Sequence, residues 1–377
     1  MMFKVNNQTI ALLGEDSKKV SNILEIILDK ELKKTDFTED NVPELIYNFS
    51  VKPKNFTIQK IDLKGEISES LKVYYNSEIL IVYFLLDESK KIESQIKDHI
   101  FMANVFGVNN VIVILDSINI SDTRTFIKIR EKITDSFKKR NFKITQINFI
   151  EYRGNKESLK GCIYENLLID SKLGKVKDNN KNAKLVLSID NVFKVDKNHI
   201  GVNGKINSGE LTVNSQVNIL PLKESYKVLE IQSRHKTINK AVKGEQIGFL
   251  LKNGCTVIEK GMIVSDDKTL FKPVSNITSQ IVSLSDKQIK LNESYVFVSH
   301  NIESIITINS IVNKDKDNNK TFHKELLTAE KATVNLSLRK NIVVTSHVVN
   351  KKLGSFAILD KERRCLLGLG IIKTVRS

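Results

Sequence analysis

The chain has 377 residues, of which 41% are hydrophobic and 27% are charged, a balance typical of a globular protein. This length is sufficient for two or three domains, each with its own core. No apolar run approaches the ~20 residues that a membrane-spanning helix requires. The N-terminal segment also lacks the pattern of a signal peptide, so we expect no membrane association.

Lysine and arginine together number 59 against 44 aspartate and glutamate residues, which gives a net charge of +15. An excess of this size favours association with polyanions, of which RNA is the commonest inside cells. The alternative is a compositional bias of the kind that an AT-rich genome imposes, because the charge is spread along the chain instead of being clustered.

The cysteines and histidines do not suggest a metal site or disulfides. Cys162, Cys255 and Cys365 are scattered and form no C-x-x-C pair. The six histidines show no zinc-ligand spacing. We therefore expect the protein to work in a reducing cytoplasm.

Apolar strands and amphipathic helices alternate through the first part of the chain. Residues 10–28, IALLGEDSKKVSNILEIIL, have the layout of a strand, a phosphate-binding loop and a helix. The pattern further predicts strands at 56–62, 79–87, 110–116 and 143–151, and helices at 92–108 and 123–139. This alternation is typical of a doubly wound α/β domain.

The pattern changes after the polar segment GKVKDNNKNAK, which we interpret as a linker at 174–184. Beyond it, short β-branched segments alternate with turns, which predicts all-β barrels or sandwiches, and the length suits two of them. The predicted domains are an α/β domain at 1–173, a β-barrel at 185–272 and a second β-barrel at 273–377, with Pro273 at the boundary between the barrels. The segment NKDKDNNK (313–320) is predicted to be a loop.

An α/β domain followed by two small β-barrels resembles the translational GTPases of the EF-Tu and elongation factor 1-alpha type. The residues that carry the resemblance lie mostly in the predicted barrels: GKINSGELTVNSQVNILP (204–221), AVKGEQIGFLLKN (241–253), EKGMIVSD (259–266) and LGSFAILDKERRCLLGLGIIKTV (353–375). In the α/β domain, DHIFMANVFGVNNVIVIL (98–115) is similar to the helix and strand that precede the guanine-specificity motif. The segments follow the family's order, and the resemblance implies a P-loop-type G domain.

The phosphate-binding motif of this family is altered. Laying the pattern G-x-x-x-x-G-K-[ST] on Gly14 puts Lys19 at the second glycine and Val20 at the lysine. Ser21 then falls at the hydroxyl that holds Mg²⁺. Because a side chain at position 19 would crowd the backbone cradle, we expect the loop to bind phosphate poorly.

The two other nucleotide motifs are altered as well. D-x-x-G corresponds to Asp62-Leu63-Lys64-Gly65 and is followed by Glu66, where the family has a histidine. The guanine-specificity motif N-K-x-D corresponds to Asp116-Ser117-Ile118-Asn119, which replaces its final aspartate with an amide. We interpret Gly14, Lys19, Ser21, Asp62, Gly65, Asp116 and Asn119 as vestigial nucleotide-binding residues. We expect no catalytic residue, and GTP or GDP with Mg²⁺ only if residual nucleotide binding persists.

The resemblance implies a translation factor-like protein of the ribosome-rescue or release-factor branch, to which NVFKV (191–195) is similar. It would act as a pseudo-GTPase scaffold and a monomer, binding the ribosome and a Pelota-like or release-factor-like protein. That branch includes the Hbs-type rescue GTPase, the class-two release-factor GTPase and the Ski-complex adaptor. One alternative is an active GTPase with divergent motifs, and another is an RNA- or protein-binding adaptor outside translation. Arg234, His235 and Lys236 are the candidate polyanion contact, because loops on rigid β scaffolds commonly carry binding function.

Overall fold

The computed structural model describes most of the chain. It covers residues 7–14, 16–29, 46–52, 54–60, 67–86, 100–108, 110–118, 124–139, 146–173, 184–222, 224–233, 236–252, 257–269, 271–314, 320–328, 330–362 and 364–376. The chain forms two compact units, Met1–Asp178 and Asn179–Ser377. No helix in the described ranges combines the length and the apolar composition needed to cross a bilayer.

The first unit is built on a six-stranded sheet with the order β2-β3-β1-β4-β5-β6. Its strands are β1 (Asn7–Gly14), β2 (Ile46–Val51), β3 (Lys54–Lys60), β4 (Ile79–Leu85), β5 (Asn110–Asp116) and β6 (Gln146–Tyr152). All neighbouring pairs are parallel except β2 and β3, which are antiparallel. The α/β prediction is confirmed, with one antiparallel edge strand that the sequence pattern missed.

The helices of this unit are α1 (Ser17–Leu28), α2 (Ile67–Asn76), α3 (residues 100–105), α4 (Arg124–Lys139) and α5 (Lys156–Leu173). The described part of the predicted helix 92–108 is helical at 100–105, and residues 87–99 lie outside the described ranges. The sequence pattern missed α2 and α5. In the core, β4 and β5 are buried along almost their whole length, as a central parallel strand should be.

The second unit begins with a closed six-stranded barrel in the order β10-β15-β7-β8-β14-β11, which β10 and β11 close by pairing. Its strands, with three short additional ones, are β7 (Val186–Lys194), β8 (His199–Ser208), β9 (Glu210–Thr212), β10 (Gln216–Leu220), β11 (Glu224–Ser233), β12 (Lys236–Ile238), β13 (Lys240–Val242), β14 (Gln246–Lys252) and β15 (Ile263–Ser265). We call this the first barrel. Val202, Ile206 and Leu251 are among the residues that fill its interior.

A second closed barrel follows, in the order β18-β23-β24-β16-β22-β19, closed by β18 and β19. Its strands, again with short additional ones, are β16 (Val274–Ser283), β17 (Ile289–Lys290), β18 (Ser294–Ser299), β19 (Ile302–Lys314), β20 (Lys320–His323), β21 (Glu325–Leu326), β22 (Lys331–Ile342), β23 (Ser355–Leu359) and β24 (Leu366–Arg376). The predicted loop at 313–320 is partly wrong, because β19 runs to Lys314 and Lys320 already pairs with it. Lysine and asparagine disfavour strands, but backbone pairing in a hairpin overrides that preference.

The two barrels pack against each other within the second unit. Val186, Leu220, Ile263, Phe271, Val343 and Leu353 form a buried apolar cluster that draws on both barrels. The imidazole of His300, which follows β18, is buried and donates a hydrogen bond through Nε2 to the Gly261 carbonyl oxygen of the first barrel at 3.2 Å. Asn301 donates to the Asp190 carboxylate beside it.

Candidate functional site

The candidate site lies at the carboxyl edge of the parallel sheet in the first unit. In open α/β sheets, ligands bind at this edge because loops and helix N-termini converge there. Gly14 ends β1, Lys60 ends β3 and Asp116 ends β5. The N-terminus of α1 begins at Ser17, shortly after Gly14.

The backbone at Gly14 is packed too tightly for a side chain. A Cβ at this position would lie 2.7 Å from the Tyr83 carbonyl oxygen and 2.7 Å from a methyl carbon of Val20. Both distances are shorter than any normal contact. Gly14 is therefore required by the packing of β1 against β4 and α1, whether or not a phosphate binds nearby.

The N-terminus of α1 is capped by its own preceding residue. Oδ1 of Asp16 accepts hydrogen bonds from the backbone N–H groups of Lys18 at 2.9 Å and Lys19 at 3.1 Å. A helix N-terminus attracts anions because its first N–H groups have no partner within the helix. At this terminus a carboxylate of the protein already accepts from two of those groups.

Lys60 reaches the first turn of the same helix. Its ammonium group donates to the Ser17 carbonyl oxygen at 2.9 Å, to Ser17 Oγ at 2.7 Å and to Ser21 Oγ at 2.9 Å. Ser21 Oγ in turn donates to the Ser17 carbonyl oxygen at 3.0 Å. The hydroxyl predicted to correspond to the Mg²⁺ ligand is thus held within a hydrogen-bonded group of protein atoms.

Asp116 is almost fully buried and has three neighbours that bond or attract it. The Tyr83 hydroxyl donates to Oδ2 of Asp116, and the Ile118 N–H donates to Oδ1 at 3.1 Å. The Lys19 ammonium group lies 3.9 Å from Oδ2. Burial raises the pKa of Tyr83 well above its usual value, and the hydrogen bond to Asp116 and the charges of Asp116 and Asp16 raise it further. At neutral pH the Tyr83 hydroxyl is therefore protonated and donates to Asp116.

Four of the predicted nucleotide-binding residues, Gly14, Lys19, Ser21 and Asp116, lie at this edge of the sheet. Asp62, Gly65 and Asn119 lie outside the described residues, as do Arg234 and His235 of the predicted polyanion contact. Lys236 is exposed at the start of β12. No group of three or more metal-ligating His, Cys, Asp or Glu side chains occurs in the part of the chain that the structure describes.

Three residues of the site were missed by the sequence analysis: Asp16, Lys60 and Tyr83. Asp16 carries a recognisable signal, because an aspartate just before an amphipathic helix is a preferred cap. Lys60 and Tyr83 carry none, since their partners are 39 and 33 residues away along the chain.

The chain combines a largely parallel α/β unit with two closed six-stranded barrels. A family model described as "GTP-eEF1A C-terminal domain-like" matches residues 276–373, which form most of the second barrel.

Several proteins resemble this chain in sequence or in fold. Elongation factor 1-alpha from Plasmodium falciparum (isolate K1 / Thailand) is 23% identical over 298 residues, which cover 74% of this chain and 66% of that protein. Elongation factor 1-alpha from Methanothrix thermoacetophila is 25% identical over 291 residues, covering 71% and 67%. The elongation factor SelB from Methanococcus maripaludis, in complex with the GTP analogue GppNHp, matches with a TM-score of 0.71 at 15% identity, over 100% of this chain and 80% of that one. Sup35 complexed with GDP matches with a TM-score of 0.50 at 14% identity, over 100% and 96%.

The chain is thus similar in sequence to elongation factor 1-alpha and similar in fold to SelB and Sup35. At these identities the solved structures show the fold alone. The aligned region spans about two thirds of the length of the elongation factors it matches.

Proposed function

We propose that this chain is a translation factor-like protein that acts as a pseudo-GTPase scaffold in ribosome rescue or termination. It binds the ribosome and a Pelota-like or release-factor-like protein in the cytoplasm, as a monomer. Gly14, Lys19, Ser21, Asp62, Gly65, Asp116 and Asn119 are then the remnants of a nucleotide site. Neither GTP, GDP nor Mg²⁺ is required.

The observation that carries this proposal is the Asp16 cap. Its carboxylate accepts from the N–H groups of Lys18 and Lys19, which a phosphate at this helix N-terminus would need. A phosphate would have to displace this carboxylate and would be repelled by it. The buried Asp116, already bonded to Tyr83 and Ile118, supports the same proposal for the base-recognition end.

Equilibrium binding of fluorescently labelled GTP and GDP tests the nucleotide part. We expect no binding in the micromolar range, with or without Mg²⁺. Micromolar or tighter binding would overturn the pseudo-GTPase proposal. Lys19→Ala is the matched variant, because it should change nothing if the site is vestigial.

Co-sedimentation with ribosomes at moderate salt tests the scaffold part. A protein without a nucleotide switch should bind ribosomes equally with GTP, with GDP and with neither. A nucleotide-dependent change of about fivefold or more would indicate coupling between the two sites. Absence of ribosome binding would favour an adaptor outside translation. Direct binding to a purified Pelota-like, release-factor-like or exosome protein would show which of these partners the chain takes.

An active GTPase with divergent motifs is the second candidate. The observation in its favour is that Lys19 and Lys60 bring two ammonium groups to the same edge of the sheet. Ribosome-stimulated release of inorganic phosphate from GTP, abolished in Lys19→Ala, would establish GTPase activity.

We propose Arg234, His235 and Lys236 as a contact to ribosomal RNA. Charge reversal at Lys236 should weaken ribosome binding in a salt-dependent manner.

A further inference from the structure

The last residue of β3 contacts the first turn of α1, which lies far from it along the chain. The Lys60 ammonium group lies 2.9 Å from the Ser17 carbonyl oxygen, 2.7 Å from Ser17 Oγ and 2.9 Å from Ser21 Oγ. An ammonium group carries three protons, so each of these three acceptors can receive one of them. Lys60 therefore joins the carboxyl end of β3 to the N-terminal end of α1.

The same turn also carries an anion of the protein. The Asp16 carboxylate accepts from the backbone N–H groups of Lys18 and Lys19, at the positive end of the helix dipole. A cation at a helix N-terminus is unfavourable by itself. The cost is offset for Lys60 because its ammonium group donates to oxygen atoms and because the Asp16 carboxylate lies at the same turn.

These two charged groups make contacts of the kind that a nucleotide makes elsewhere. In a phosphate-binding loop, a phosphate accepts from the N–H groups of the helix N-terminus, and Mg²⁺ binds the hydroxyl of a Ser or Thr. Here the Asp16 carboxylate accepts from the N–H groups, and the Lys60 ammonium group binds Ser21 Oγ, the hydroxyl predicted to correspond to the Mg²⁺ ligand. In nucleotide switches, the phosphate and its Mg²⁺ hold loops that are released after hydrolysis.

We propose that Lys60 is an internal tether that replaces a bound cation. Together with Asp16, it holds the carboxyl end of β3 on the first turn of α1, so that this end of the sheet keeps one arrangement with and without nucleotide. In the sequence, Lys60 stands two positions before Asp62, which begins the predicted D-x-x-G motif. The inference rests on the proposed function, because an internal cation is of use where nucleotide and Mg²⁺ do not set the arrangement.

Hydrogen exchange of the full-length protein, followed by mass spectrometry on peptides that cover α1, measures how firmly this turn is held. Lys60→Met removes the ammonium group and keeps a side chain of similar length. We expect the amides at the N-terminus of α1 to exchange at least about fivefold faster in this variant, which corresponds to the loss of a typical hydrogen bond. Peptides that cover β4, β5 and the two barrels should exchange as in the wild type, which verifies that both units are folded.

Lys54→Met is the matched control, because Lys54 begins the same strand and the substitution removes the same charge. The Lys54 ammonium group donates to Gln8 Oε1 at 3.3 Å and to the Leu167 carbonyl oxygen at 3.0 Å, at the opposite edge of the sheet. Exchange at the N-terminus of α1 should therefore not change in this variant. An equal acceleration in Lys54→Met and Lys60→Met would overturn the tether, because it would show a general effect of the lost charge.

Ser21→Ala gives a second measurement through a double-mutant cycle with Lys60→Met. Alanine favours a helix, so Ser21→Ala should slow the exchange of α1 when it is added to Lys60→Met. In the wild type, Ser21→Ala also removes an acceptor of Lys60, so it should slow exchange less or accelerate it. The two substitutions should therefore be non-additive. Additive effects would show that Lys60 and Ser21 act independently and would overturn the tether.

Exchange of the wild type in EDTA, in Mg²⁺ and in Mg²⁺ with GDP completes the test. The tether predicts the same exchange of α1 under all three conditions. Slower exchange with GDP and Mg²⁺ would overturn both the tether and the pseudo-GTPase proposal, because a nucleotide would then order this turn. If the wild type binds no labelled nucleotide and Lys60→Met exchanges like the wild type, the tether is wrong while the proposed function stands.

Discussion

The carboxyl edge of the α/β sheet and the interiors of the two barrels differ in what their residues do. At the sheet edge, hydrogen bonds from Asp16, Lys60 and Tyr83 join polar groups of the protein to one another. In the barrels, the strands close and the interior is filled with apolar side chains. The packed cores and the polar sheet edge are thus constrained separately. A core tolerates few polar changes, whereas a site can be filled by local hydrogen bonds while the fold is kept.

The largest expected effects test whether both units have equally well-packed cores. Phe56 in the α/β unit and Phe297 in the second barrel are fully buried, and each stacks on another phenylalanine ring. Phe56→Ala and Phe297→Ala should each lower the free energy of unfolding by about 3–5 kcal/mol. Urea denaturation followed by circular dichroism measures this decrease. Phe322→Ala, at an exposed position, is a near-neutral control. A much smaller decrease for Phe56→Ala would mean that the α/β core has loosened together with its site.

The next effect concerns the interface between the barrels. Burial lowers the pKa of His300 from its ordinary 6.5 to about 4, and the hydrogen bond to the Gly261 carbonyl oxygen opposes this only partly. Since the unfolded chain binds the proton more readily, the full stability is present above about pH 6.5 and is lost as the pH falls toward 4. At pH 4 the decrease in the free energy of unfolding reaches about 3 kcal/mol.

The measurement is the free energy of unfolding of the second unit between pH 7.5 and 4. His300→Asn cannot titrate, and asparagine tolerates the positive φ of 38° at this position. Carboxylates titrate in the same pH range in both proteins. The difference between their free energies of unfolding therefore reports the titration of His300 alone. Parallel curves for the two proteins would show that His300 is accessible to solvent.

The hydrogen bond between Tyr83 and Asp116 gives an intermediate effect at the sheet edge. Tyr83→Phe leaves a buried carboxylate with one partner fewer, which should cost about 1–3 kcal/mol. Because the pKa of Tyr83 is raised, Tyr83 contributes fully to the free energy of unfolding below the ordinary tyrosine pKa near 10. This contribution is lost as the pH rises beyond that value. The variant should accordingly lose less stability than the wild type above pH ~10. No cost at neutral pH would indicate that Asp116 is free to bind a ligand.

The smallest effect is at the cap of α1. Asp16→Ala removes the acceptor of the Lys18 and Lys19 N–H groups and should cost about 1 kcal/mol. Asp16→Asn keeps the cap and should stay near the wild type, because asparagine caps helices as well as aspartate does. If Asp16→Asn binds labelled GTP in the micromolar range, the carboxylate charge alone had blocked the site, and the other substitutions matter less than proposed.

The fold was predictable in proportion to the regularity of the apolar pattern. The strand predicted at 110–116 is β5 with the same bounds, and the helix predicted at 123–139 is α4 within one residue. Both are long and periodic. The missed elements include β2, a short strand that pairs in a hairpin with β3, and α2, whose sequence ISESLKVYYN mixes polar, β-branched and aromatic residues. Pairing and packing stabilise these segments more than their own composition does.

The amino-acid sequence predicted an α/β domain followed by β-barrels, because strand and helix periods are local properties of the chain. Motif spacing alone singled out Gly14, Lys19, Ser21 and Asp116, and their role stays a prediction. The folded arrangement alone revealed what surrounds them: the Asp16 cap, the hydrogen bonds of Lys60 to the first turn of α1, and the hydrogen bond from Tyr83 to Asp116. The last two join residues more than thirty positions apart. Which distant donor meets which acceptor depends on how strands lie side by side in the sheet, and no local pattern encodes that choice.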